Sequence, residues 1–253
     1  MKKIIIITLL ALSFAFSANA DTNSPENVKD CSETFNRASF KFNQGLDKAI
    51  VRPLAVGYRK LPTGIRTVTS NFLNNLSNLV TIPNNALQGE LSKAGTNLAR
   101  FGINSTVGIL GLFDVATAMG FEEYQKEDYG QTLGALGNGP GCYLVLPILG
   151  PSTARDTFGT VLGMVGGDPW YNVTVKNHTQ HFNDGDYYAS KITGGVDFRA
   201  KNLDALDNLE ENSMDFYASV KSLYLQDRQQ KILNSNKTTE AQDDSDWDEV
   251  SSE

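Results

Sequence analysis

Apolar residues recur at helical spacing through most of the chain. After Ser32, a residue suited to an N-cap, Phe35, Ala38, Phe42, Leu46, Ala49 and Ile50 fall near one face. Arg52-Pro53 is expected to end or bend that helix, because proline lacks an N–H and restricts the residue before it. A second helix is predicted from Pro62 to Val80. Ile65, Val68, Phe72, Leu73, Leu76 and Leu79 form its apolar stripe, and Asn71, Asn74, Asn75 and Asn78 mark a polar face. Pro83 is expected to interrupt, with a turn at Gln88-Gly89. A third helix, Glu90 to Ser105, carries Leu91, Ala94, Leu98 and Phe101. Any one of these stripes alone describes an ordinary water-soluble helical core.

Two segments break the helical period. Thr106 to Phe113 is apolar and glycine-punctuated, stopped by Asp114. Gly130 to Asp156 packs glycines and prolines around the apolar run Tyr143–Leu149. A helix is predicted over Asp128–Leu136, and then Gly137, Gly139 and Gly141 permit backbone angles closed to other residues. Pro140 and Pro147 rule out regular helix, so an apolar loop or hairpin is expected. Such a loop either closes a core as a tight turn or touches something other than water, such as a lipid path. On the second reading Gly137, Gly139 and Gly141 are a hinge, and Tyr143, Leu144, Leu146 and Pro147 line the path. Helix-like sequence resumes from Pro151 to Val165. Trp170 and Tyr171 suit either ordinary packing or the headgroup level of a bilayer. Polar amphipathic helices are predicted over Asp184–Glu210, broken at Gly194-Gly195, and over Asp215–Leu233. The pattern predicts an all-α fold: one domain of amphipathic helices over 32–233 with a glycine-rich apolar hairpin or loop.

The N-terminus carries Lys2-Lys3, thirteen largely apolar residues from Ile4 to Phe16, and Ala18-Asn19-Ala20. This reads as a secretory signal peptide over 1–20, followed by a lead over 21–31. Its removal takes two lysines and moves the formal net charge from −7 to −9. A polyanion is a poor partner for nucleic acid. No later stretch is long and apolar enough to span a bilayer, so membrane contact would fall to amphipathic surfaces. The last twenty residues, 234–253, hold seven acids and one lysine and read as a disordered tail. Cys31 and Cys142 are the only cysteines. Val28-Lys29-Asp30 is no lipobox, so acylation of Cys31 is not expected.

Chemistry-bearing motifs are missing. His178 and His181 offer two metal ligands without a third at a diagnostic spacing. The run from Gly137 to Gly141 lacks the Gly-Lys-Ser/Thr of a P-loop and does not follow a clear strand. No Gly-x-Ser-x-Gly elbow is present. Neither metal, cofactor nor catalytic residue is assigned, and Arg155-Asp156 reads as a structural pair.

Several stretches, in a shared order, resemble one family. They are Phe35-Asn36-Arg37, Phe42-Asn43, Leu46-Asp47, Arg52-Pro53, Asn71-Phe72, Asn75-Leu76 and Leu87-Gln88-Gly89. Arg100-Phe101, Asn104-Ser105-Thr106 and Asp114-Val115-Ala116 follow. The densest run is Tyr129-Gly130-Gln131-Thr132-Leu133-Gly134, continuing through Leu144–Pro147 and Gly150-Pro151-Ser152 to Arg155-Asp156, with Tyr224-Leu225-Gln226 and Arg228 near the end. Over about 30–228 the chain resembles the MlaA (also called VacJ) proteins of Gram-negative outer membranes. The resemblance implies a helical, ring-like protein in the periplasmic leaflet of the outer membrane, beside a trimeric porin. It implies removal of mislocalised phospholipid from the outer leaflet and delivery to a periplasmic lipid-carrier protein. A periplasmic adaptor that binds a porin and moves no lipid is the alternative, and a hydrolase a third. The family usually has proline where this chain has Cys31 and Cys142. These two departures suggest a disulfide pinning the N-terminal helix to the apolar loop, against the alternative of two unrelated thiols.

Overall fold

A computed structural model of the chain describes residues 28–175 and 182–235. The expected leader, most of the N-terminal lead, His178 and His181, and the tail from residue 236 lie outside the described residues. The fold is largely helical, with one small two-stranded sheet.

The first helical arm is α1 (Glu33–Leu46), a π turn (Asp47–Val51) and α2 (Arg52–Arg59), one continuous path. Pro53 does not end it. The wide turn directly ahead absorbs the missing N–H, the usual role of a π bulge. α3 (Thr63–Leu87) likewise runs through Pro83 instead of stopping there. Pro83 has nothing to donate to Leu79, and the adjoining Val80 carbonyl is held by Asn84 Nδ2 at 2.8 Å. α4 (Leu91–Thr106) packs along α3. Asp114 caps the short α5 (Val115–Ala118) through the Thr117 N–H, and Asp128 caps α6 (Tyr129–Ala135) through the Gln131 N–H.

The glycine-rich stretch then forms an antiparallel hairpin of β1 (Tyr143–Leu146) and β2 (Gly150–Thr153). Pro151, expected to open a helix, pairs with Val145 in the sheet. The helix α7 (Ala154–Leu162) begins later, because the Thr153 hydroxyl caps it by accepting from Asp156 N–H. α8 (Asp184–Lys201) has a capping box between Asn183 and Asp186, and it continues through Gly194-Gly195 without the expected break. Its far half is anchored beyond the glycines, where Ser70 Oγ donates to Asp197 at 2.9 Å and Arg199 pairs with Asp47 at 3.0 Å. The interruption falls at Asn202 instead, ahead of α9 (Leu203–Asn212), and α10 (Phe216–Ser235) closes the described chain.

α9 and the segment just after it lie antiparallel to the first arm along a row of ion pairs. Arg37–Asp215, Lys48–Glu210, Arg52–Asp207 and Arg59–Asp204 close at 2.6 to 2.8 Å, one partner number rising as the other falls. The apolar core is small. Val28, Tyr143, Val145, Tyr217 and Leu225 form it, with Phe40 and Tyr224 packed against it, all around the hairpin.

Elsewhere polarity is inverted. The buried face of α3 is Ser70, Asn75, Asn78, Thr81, Asn84 and Asn85, and that of α4 is Ala94, Asn97, Arg100 and Asn104. Several of the apolar residues predicted to form a helical core point outward, while Val68, Phe72, Leu73, Leu76, Leu79 and Phe101 are half-buried and Ala94 is buried. Phe42 is 55% exposed, Ile65 52%, Leu91 72% and Leu98 59%, whereas Arg100 is 2% exposed. A water-soluble bundle does the reverse.

Candidate functional site: an apolar exterior over a polar interior

The hairpin is held from outside the sheet by two asparagines of α1. Asn36 Nδ2 donates to the Tyr143 carbonyl at 2.9 Å, and Asn36 Oδ1 accepts from Val145 N–H at 3.0 Å. One heptad on, Asn43 Nδ2 donates to the Leu146 carbonyl at 2.9 Å and its Oδ1 accepts from Ile148 N–H at 2.7 Å. Each carboxamide supplies one donor and one acceptor, as a neighbouring strand would. The Phe-Asn pairs at 35–36 and 42–43 therefore divide labour: Asn turns to the hairpin and Phe turns out. Arg37 pairs with Glu33 and Asp215 on the flank.

The same edge of β1 is joined to the N-terminal lead. Tyr143 N–H donates to the Lys29 carbonyl at 2.8 Å and Cys31 N–H to the Tyr143 carbonyl at 2.9 Å. Cys31 and Cys142 are bonded beside this bridge, with Cα atoms 5.0 Å apart. Asp30 accepts from Asn36 at 2.8 Å, Lys221 at 2.8 Å and the Tyr217 hydroxyl. These last three groups offset the burial that would raise its carboxyl, and the net shift is downward.

The predicted run Tyr143–Leu149 splits by position. Tyr143 and Val145 are core, Leu144 and Leu146 half-buried, and the tip Pro147–Leu149 exposed, with Ile148 at φ 68°. Gly137 and Gly141 take positive φ, while Gly139 is exposed at the surface of the same loop. A Cβ at Gly141 would also lie 2.9 Å from the Ala154 Cβ. The second glycine-punctuated segment behaves alike: Ile109, Leu110 and Gly111 turn through positive φ, and Val107, Ile109, Leu110 and Phe113 face outward.

Arg155 and Asp156 belong to a buried charge cluster at the α6–α7 crossing. Asp156 meets Arg155 at 3.0 Å, Arg228 at 2.9 Å and the Tyr224 hydroxyl at 2.7 Å, and Arg228 also grips Asp128 at 2.6 Å. Burial would raise both carboxyls, but the Arg228 guanidinium holds them well below the usual carboxylate range. The helices touch at glycines: a Cβ on Gly159 would lie 2.5 Å from the Gly130 nitrogen.

The interior is lined by polar side chains that bond one another. Asn97 donates to Asn85 at 2.9 Å, Thr132 to Asn84 at 2.6 Å and Asn75 to Ser105 at 2.9 Å. Arg100 reaches Asp114 at 2.8 Å and the Glu122 carbonyl at 2.7 Å. Asn75 Oδ1, Asn78 Oδ1, Gln88 Oε1 and Gln131 Oε1 are buried acceptors without a hydrogen-bond partner. Burial pushes the Tyr124 hydroxyl up to about 12, raises Glu127 and lowers Lys126.

Trp170, a candidate for the headgroup level, is buried and stacked on Tyr187 at 4.8 Å. Sequence reasoning named Arg228 in the resemblance but gave it no role. It missed the roles of Asp128, Asp30, Tyr217 and Lys221, acid–base partners separated by 100 residues or more, as Arg228 and Asp128 are. The heptad-spaced Phe-Asn pairs were the available signal for the asparagine brackets. Among the described residues no helix is long and apolar enough to cross a membrane.

A family model described as MlaA lipoprotein matches residues 28–231. The Haemophilus influenzae protein named intermembrane phospholipid transport system lipoprotein MlaA is 32% identical, over 96% of each chain. The Escherichia coli protein of the same name is 35% identical over 77% of this chain and 74% of its own. An uncharacterized protein of Rickettsia bellii is 34% identical over 87% of this chain and 83% of its own. Among solved structures, a chain from work on the structural basis for maintenance of bacterial outer membrane lipid asymmetry superposes with a TM-score of 0.67. It shares 32% identity and covers 81% of this chain and 99% of that one.

Proposed function

This chain belongs to the MlaA lipoprotein family, and from that premise we propose that it removes mislocalised phospholipid from the outer leaflet of the outer membrane and passes it to a periplasmic lipid carrier. The observation that carries the proposal is the inverted polarity of α1, α3 and α4. Apolar residues on the outside suit acyl chains, because each methylene kept from water contributes about 0.8 kcal/mol. Buried asparagines, threonines and unpartnered acceptors suit a path for headgroups. A ring-like arrangement in the periplasmic leaflet, seated beside a trimeric porin, follows from the same reading. The Gly137, Gly139, Gly141 loop acts there as hinge and Leu144, Leu146 and Pro147 as wall, whereas Tyr143, expected on the wall, is buried in the core.

On this reading the chain is not acylated, which is supported by the bond between Cys31 and Cys142. The apolar exterior then supplies the attachment. Cells lacking the chain should accumulate phospholipid in the outer leaflet, and re-expression should remove it. An outer leaflet that stays free of extra phospholipid in the deletion strain counts against transport and favours the adaptor.

A further inference from the structure

A cavity of about 220 Å³, partly open to solvent, is bordered by Gly137 and Pro140 of the glycine loop. Its apolar wall is Val28 of the lead with Leu225, Ile232 and Leu233 of α10. A cavity of about 150 Å³ takes a benzene ring, so this one has room for an indole.

Two polar side chains on the wall are incompletely bonded. The Arg155 side chain is 7% exposed. Its Nε donates to Asp156 at 3.0 Å, its Nη1 donates to the Asn138 carbonyl at 3.3 Å, and its Nη2 lies 3.0 Å from the same Asp156 oxygen. A guanidinium carries five N–H groups, so at least two are left over for an incoming carboxylate. Gln229 Oε1 is a buried acceptor without a hydrogen-bond partner. The wall thus offers an apolar seat, spare donors and an acceptor that lacks a donor.

The described chain ends beside this cavity. Leu233 lies two residues before Ser235, and residues 236–253 follow. They hold one aromatic residue, Trp247, set between Asp246 and Asp248. So acidic a segment has no core of its own, and its tryptophan is buried only against another surface. An indole suits the apolar seat, and its N–H is a donor only, which is what Gln229 lacks. The flanking carboxylates match Arg155 and the exposed Lys29 beside Val28, which pairs with no carboxylate among the described residues. The twelve residues from Ser235 to Trp247 span up to roughly 40 Å when extended, far enough to turn back. The tether also sets an effective concentration on the order of millimolar. The lead over 21–27 joins the cavity at Val28 but holds no aromatic residue.

We propose that this cavity is the seat of the chain's own Asp246-Trp247-Asp248 segment, which latches the tail against the glycine loop. The latch stands or falls without lipid transport; that it restrains the loop as a hinge rests on the lipid-transport reading.

The test uses the full mature chain in detergent. Trp170 and Trp247 are the only tryptophans, so the wild-type emission minus that of W247F isolates Trp247. Acrylamide should quench it roughly threefold less than it quenches a free peptide of residues 236–253. Benzoylphenylalanine at position 247 should cross-link within one chain to residues 225–233 or to Pro140. Trp247 quenched as in the free peptide overturns the latch. Cross-links confined to other surfaces, to a second copy or to detergent overturn it as well, even with Trp247 protected. The same cross-linker at Asn27 reaching residues 225–233 while position 247 does not would make the lead the occupant and remove the tail. Both replacements at 247 keep an aromatic side chain.

Discussion

At the scale of single residues, side-chain amides and carboxylates do the work that sheet partners and an apolar core do elsewhere. Asn36 is fully buried and brackets β1 through both its atoms. Asn36→Leu strands the buried Val145 N–H, while the Tyr143 carbonyl keeps its bond from Cys31 N–H, so we expect a loss of about 1–3 kcal/mol, read as a shift in the denaturant midpoint. An unchanged midpoint would remove the bracket. Arg228 neutralises Asp128 and Asp156 together, and its truncation leaves the half-buried Asp128 without its cation and Asp156 with Arg155 alone. Arg228→Leu should cost up to about 3–5 kcal/mol in the same measurement. The sign of the pH dependence follows from the lowered pKa values of Asp128, Asp156 and Asp207, the last held at about 2 by Arg52 and Arg199. Their contribution is complete above the ordinary carboxylate pKa of about 3.9 and is lost as pH falls through the folded values. Unfolding midpoints should therefore be flat from pH 7 to about 5 and drop steeply below pH 4. A midpoint independent of pH down to 2.5 would contradict this.

At the scale of elements, the hairpin is the most heavily constrained part of the chain. It is bracketed by α1, bridged to the lead at Lys29 and Cys31, and stapled by a disulfide spanning 111 residues. Closing a loop of that length stabilises by about 5 kcal/mol in the chain-entropy model. Replacing both cysteines by serine should lower the unfolding free energy by up to that amount. A loss below about 1 kcal/mol would show that the Asn36 and Asn43 brackets hold the hairpin without it.

Helix existence was legible from apolar spacing in α1, α3, α4, α6, α8 and α10. Helix interruption was not, because proline and glycine penalties of about 1–3 kcal/mol were offset locally. A π turn precedes Pro53, the Asn84 amide follows Pro83, and the Asp197 and Arg199 contacts lie past Gly194-Gly195. Hairpin pairing was left open because Tyr143–Leu149 shows no polar alternation. β1 faces core and α1 at once, and no face of it is freely solvated.

At the scale of the whole molecule, periodicity told which residues share a face but not which way that face looks. The stripe through Phe35, Phe42 and Ile50 reads the same whether it is a core or an exterior. What distinguishes them is the opposite face: asparagine, threonine and arginine residues able to satisfy one another when buried. This inversion is the central claim, and quenching of site-specific fluorescence by brominated acyl chains tests it most directly. Probes placed singly at Phe42, Leu98 and Ile109, and at Asn78, are read in the mature chain reconstituted into brominated phospholipid bilayers. Strong quenching at the first three positions with little at Asn78 is the predicted result. Quenching absent at all four, or stronger at Asn78 than at Leu98, would contradict an apolar exterior set in lipid.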